Sequence, residues 1–196
     1  MLITSENGTI ITIHHSGERT VHLDYQSQES GQTLREAIAE YHRYLFVIDR
    51  KILVDANGEK IWHYHDVTHA IFGHSTSIEQ EAALDFWVLF GTNFSWKMLR
   101  DYREIPEIKA LSGAIISALG LSFVPKLYWR NRKVLWRVFQ NTRHMSKKWP
   151  FEVPSEFLDR TLSDLRGEFG ITLLSPQQRV PSQLTEFDYS IVSNTH

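Results

Sequence analysis

The chain has no cysteine among its 196 residues. Disulfide bonds and thiolate metal sites are therefore excluded, and any bound metal must be held by nitrogen and oxygen ligands. It also lacks a long apolar run. The longest weakly polar stretch, Ala110–Val124, falls short of the roughly 20 apolar residues that cross a bilayer and reads as a buried helix. The first residues, Met-Leu-Ile-Thr-Ser-Glu-Asn-Gly, have neither the basic leader nor the continuous apolar core of a secretory signal, and Glu6 speaks against a transit peptide. A cytoplasmic protein is expected. Strong net charge is missing too. The formal value is −2 at pH 7, which does not argue for a nucleic-acid partner. Neither an internal repeat nor a low-complexity tract is present.

One absence is local. Between Ile108 and Phe151 there is no acidic residue. Lys109, Lys126, Arg130, Arg132, Lys133, Arg137, Arg143, Lys147 and Lys148 fall there, interleaved with Tyr128, Trp129, Trp136 and Trp149. A basic helix carrying aromatics can lie on an anionic membrane surface or contact phosphates, and it can equally be a solvated face. Peripheral membrane contact through 126–148 is therefore one expectation.

Hydrophobic residues make up 42% of the chain and charged residues 22%. That suffices for one sizeable core and argues against general disorder. The expected fold is mostly α, a helical domain with a small N-terminal β-hairpin. Residues 1–30 form the hairpin appendage, 31–175 the helical domain and 176–196 an irregular tail. Thr9–His14 is β-branched and Arg19–Tyr25 alternates, with a turn through His15–Glu18 between them. Thr33-x-x-Glu36 is a capping box, opening a helix to about Val47 with Leu34, Ala37, Ile38, Tyr41 and Leu45 on one stripe. A turn at Asp55–Gly58 leads to a helix over Trp62–Phe72 that stops at Gly73. Thr76-x-x-Glu79 is a second box, for a helix running to about Leu99 that is apolar nearly all round and so expected to be buried. A helix of small and apolar residues spans Ile108–Val124, where small side chains let a helix or a ligand approach closely. Ser155–Glu168 forms the last helix, closed by Gly170.

The chemistry gathers in Trp62–Phe90, which holds four of the ten histidines: His63, His65, His69 and His74. Residues i and i+4 of a helix lie about 40° apart around its axis, and i and i+1 about 100°. His65, Asp66 and His69 therefore share an arc of roughly a quarter turn. Two imidazoles at this spacing can grip one cation, with Asp66 as a third ligand or as a hydrogen-bonding partner of the ligands. Glu81 can join them if the chain turns back through Gly73–Ser77. Two nitrogens and two oxygens suit zinc and also accept manganese or iron. His63 and His74 fall off the arc, whereas Asp85, one turn after Glu81, can reach the rim. The pattern is not that of a zincin, which needs Glu where Asp66 stands. An HD-type phosphohydrolase shares the His-Asp pair but needs further ligands, and upstream only His42 offers itself.

The run His65-Asp66-x-x-His69-x(11)-Glu81 resembles the signature of the ubiquinone (coenzyme Q) biosynthesis protein 4 family, loop length included. Leu162-Ser-Asp-Leu-Arg-Gly-Glu-Phe-Gly-Ile171 is similar to that family's closing helix. The resemblance covers about Trp62 to Ile171. It implies a mostly helical protein whose His65, Asp66, His69 and Glu81 bind a divalent metal, usually zinc. It also implies a cavity for a polyprenyl chain and association with other quinone-biosynthesis proteins at a membrane. The activity implied is oxidative decarboxylation of a polyprenylated hydroxybenzoate. A non-enzymatic prenyl-lipid carrier or scaffold with a structural metal, a metal-dependent hydrolase, and a homo-oligomeric state also remain open.

Overall fold

A computed structural model describes residues 2–4, 10–13, 19–47, 61–95, 97–98, 113, 117 and 120–179. The turns expected at His15–Glu18 and Asp55–Gly58, most of the small-residue helix expected over Ile108–Val124, and the tail beyond 179 lie outside them. The described chain is mostly helical, with α1 at Leu34–Val47, α2 at Ile61–Phe72, α3 at Ile78–Gly91, α4 at Phe123–His144 and α5 at Leu162–Phe169. It divides into two compact units. The first comprises 1–73 and 152–173, the second 74–151 and 174–196.

In the first unit the capping box at the start of α1 forms as its sequence predicts. Thr33 N–H donates to Glu36 Oε2 at 2.8 Å, and Glu36 N–H donates to Thr33 Oγ1 at 3.3 Å. Each satisfies a helix-end donor that has no partner inside the helix. Two more such donors are used across the chain, Leu34 N–H on Arg160 O and Arg35 N–H on Leu158 O, both at 2.9 Å. The whole predicted stripe Leu34, Ala37, Ile38, Tyr41 and Leu45 is buried. Each large member contributes about 1.5–3 kcal/mol by leaving water. α1 packs on α2, and Val67, Ala70 and Ile71 of α2 and Leu162, Leu165 and Phe169 of α5 are buried in the same unit.

The last helix is shorter than expected. Pro154 precedes a single 3₁₀ turn at Ser155–Phe157, and α5 starts only at Leu162. The carbonyls of Leu158 and Arg160 serve α1 instead of continuing a helix. Thr161 then caps α5 by accepting from Asp164 N–H at 3.2 Å. Gly170 closes it in the left-handed region at φ 67°, a conformation that suits glycine.

In the second unit α3 packs on α4. It stops at Gly91 rather than near Leu99, because the chain turns to pair with Trp149. Trp149 N–H donates to Gly91 O at 2.9 Å, and Asn93 N–H to Trp149 O at 3.0 Å. A Cβ on Gly91 would stand 3.2 Å from the Trp87 ring and 3.3 Å from Thr142 Cγ2, so glycine permits this approach. The second capping box does not form. Ser77 is the N-cap, without a side-chain hydrogen bond, and the Glu79 carboxylate accepts none. Nor is α3 buried all round. Ala82, Ala83, Leu84 and Trp87 are buried, whereas Asp85 and Leu89 are exposed.

Candidate metal centre

The second half of α2, Asp66–Phe72, is buried throughout. Such burial leaves the polar side chains of Asp66 and His69 dependent on partners within the protein, while His65 just before them is half-buried. His65 and His69, one turn apart, hold their rings edge to face, with centroids 4.8 Å apart and planes at 73°. His69 is wholly buried, and the Tyr41 ring of α1 stacks on it at 4.6 Å and 16°. Asp66 is 8% exposed. Its Oδ2 accepts a hydrogen bond from His42 Nε2 of α1 at 2.8 Å, and its Oδ1 lies 3.9 Å from His65 Nδ1. Burial pushes the Asp66 carboxyl upward, but His42 and His65 outweigh that and hold it below the usual carboxylate range. It is therefore an anion at neutral pH, a pure acceptor, which places the proton on His42 Nε2.

Of the predicted set, the first unit brings His65, Asp66 and His69 together, and adds His42. Glu81 belongs to the second unit. It sits in the first turn of α3, half-buried, with its N–H on Ser77 O at 2.8 Å. Within the first unit His65 and His69 offer two imidazole nitrogens, and Glu81 of the second unit is a carboxylate, donor types that zinc, manganese and iron accept. His63 is half-buried beside Tyr64. His74 is 1% exposed. Burial drives its pKa down to about 3, the charge of Arg179 adding to that and a Gln80 hydrogen bond opposing it. Asp85 is engaged by Tyr128, whose hydroxyl donates to Asp85 Oδ2 at 2.7 Å. Burial first, then the Asp85 charge, pushes that phenol upward.

Arg166 was marked in sequence only by the Leu165-Arg166 pair, and it is the most consequential buried charge. It is 0% exposed. Its guanidinium donates to Ile71 O at 2.9 Å, Ala70 O at 2.9 Å and Tyr25 O at 2.6 Å, and also to Ser27 O and Gln28 O. Two of these carbonyls are C-terminal ones of α2, where a cation is favoured by the helix dipole. Glu40 plays a similar part on α1, accepting from Asp24 N–H at 3.0 Å and Tyr25 N–H at 3.1 Å. No sequence periodicity signals either role.

In the second unit α4 carries Lys126, Arg130, Arg132, Lys133, Arg137 and Arg143 and no acidic residue. Trp129 and Trp136 are 69% and 59% exposed. An open groove of about 520 Å³ runs between Phe86 of α3 and Tyr128, Trp129, Leu135, Trp136 and Phe139 of α4. Among the described residues no helix is long and apolar enough to cross a membrane. No family model, no curated protein and no solved structure matches the chain.

Proposed function

We propose that the protein binds one divalent cation through His65, Asp66, His69 and Glu81 and works in prenyl-quinone biosynthesis on a polyprenylated hydroxybenzoate, whose ring carboxylate is lost by oxidative decarboxylation. The observation that carries the metal part is the α2 cluster. Two imidazoles one turn apart stand beside a buried carboxylate anion, and a divalent cation compensates such a group of buried polar atoms. The cation, zinc or else manganese or iron, supplies Lewis acidity toward a substrate carboxylate or phenolic oxygen. The pathway rests on the resemblance of the His-Asp-x-x-His motif. The α3–α4 groove, apolar but for Arg132, supports a polyprenyl chain as its occupant. The basic, tryptophan-bearing α4 supports peripheral contact with an anionic inner membrane from the cytoplasmic side. The N-terminal hairpin belongs to the same reading, on the β-branched stretch Thr9–His14 and the alternating stretch Arg19–Tyr25 of the sequence.

Metal analysis and lipid mass spectrometry on the purified protein test this. One divalent cation per chain and a co-purifying prenylated aromatic acid are expected, with the metal lost in His65→Ala and Glu81→Ala. A metal-free protein, or metal content unchanged in both variants, refutes it. The His42–Asp66 contact favours one further reading, a metal-dependent hydrolase. An upstream histidine beside a His-Asp pair is what that chemistry needs, and metal-dependent turnover of generic phosphate or ester substrates would select it. Lipid binding without any turnover would instead select the carrier.

A further inference from the structure

Helix α1 contributes two consecutive side chains to the centre, and each holds a different member of it. Tyr41 stacks on His69, and His42 holds Asp66. The two oxygens of Asp66 face different imidazoles. Oδ2 is taken by His42 Nε2 at 2.8 Å, and Oδ1 stands on the His65 side, 3.9 Å from Nδ1. A carboxylate with both oxygens free can bind a cation through both. One whose Oδ2 already accepts a strong, charge-assisted hydrogen bond has a single oxygen to offer.

We propose that His42 is a positioning residue of the metal centre, pinning Asp66 Oδ2 so that Asp66 meets the cation through Oδ1 alone, beside His65. This rests on the metal reading given above. It extends the site from α2 onto α1 and gives the site a determinant of coordination number. Pinned in this way, Asp66 adds one oxygen to the two imidazoles of α2, and released it could add two, so His42 decides how close the centre stays to the four donors that tetrahedral zinc prefers. His42 also anchors the carboxylate from a position whose side chain is 30% exposed, against 12% for Asp66.

The test uses the full chain loaded with cobalt(II), whose visible band weakens as coordination rises above four. The parent should bind one cobalt with an intense band. His42→Ala should still bind one cobalt, with about 10–100-fold lower affinity, the usual effect of removing a group that orients a ligand, and with a weaker band. His42→Gln keeps an N–H donor and should recover most of both. Circular dichroism checks folding, and His42→Leu replaces the alanine variant should that fail to fold. Affinity and band equal to the parent's in the bond-deleting variant overturn the proposal while leaving the metal reading intact, provided His65→Ala abolishes binding. A parent that takes up no cobalt overturns both. Glutamine no better than alanine also overturns it, because the effect would then come from packing and not from the hydrogen bond.

Discussion

His74 makes acid stability a direct readout of burial in the second unit. Its imidazole is wholly buried and stays neutral down to about pH 3, through burial first and the neighbouring Arg179 charge second. In the unfolded chain the same ring protonates at about pH 6.5. Below that pH the unfolded state therefore binds a proton that the native state does not. The contribution of His74 is fully present above 6.5 and is lost as pH falls toward 3. At pH 5 the unfolded state is favoured by about 1.5 pH units of proton binding, or ~2 kcal/mol. This loss depends on the unfolded value alone so long as the native value lies below 5. Urea unfolding of the parent and of His74→Gln at pH 7.5 and pH 5 isolates the effect, because the nine other histidines cancel in the difference. The parent should lose ~2 kcal/mol more than the variant over that interval. Equal losses would refute the reasoning. So would an NMR titration in which the His74 ring protons shift between pH 7.5 and 5 in the folded protein, and that experiment needs no variant.

Two further perturbations probe how the first unit holds α2. Arg166→Lys puts one ammonium where a planar fork reaches five carbonyls in different directions. At least two should lose their donor, costing about 2–4 kcal/mol in urea unfolding, and a loss under about 0.5 kcal/mol counts against the clasp. Gly73→Ala forces a side chain onto φ +68° with its Cβ 2.8 Å from Leu173 Cδ1. A loss of about 1–3 kcal/mol in thermal unfolding is expected, and unchanged stability would show that the turn relaxes freely.

What the sequence made legible was what is local in it. The α1 stripe and its capping box follow from 3.6-residue periodicity and a three-residue reciprocal bond, and both are present as expected. His65, Asp66 and His69 come together because i, i+1 and i+4 on one helix must. What escaped was settled by distant strands of chain. α3 ends at Gly91 because Trp149, 58 residues on, supplies its carbonyl's donor. The first turn of the expected last helix yields to α1, which takes the carbonyls of Leu158 and Arg160. The uniform hydrophobicity of α3 suggested burial on every side, yet Phe86 borders the α4 groove and Leu89 stays exposed.

The same distinction explains why the charged groups that matter most inside the first unit were the hardest to read. Arg166 and Asp66 are both buried ions, and neither is stable there unless its hydrogen bonds are met. Arg166 meets them with backbone carbonyls, from residues 95 to 141 positions away. That closes its chemistry and fixes the end of α2. Asp66 meets one oxygen's need with His42, 24 residues away, and turns the other toward His65 at a distance too long for a hydrogen bond. A fully bonded buried ion serves the fold. A half-bonded one beside two imidazoles retains the capacity to bind something else, and it is this asymmetry, more than the density of histidines, that makes α2 a candidate site.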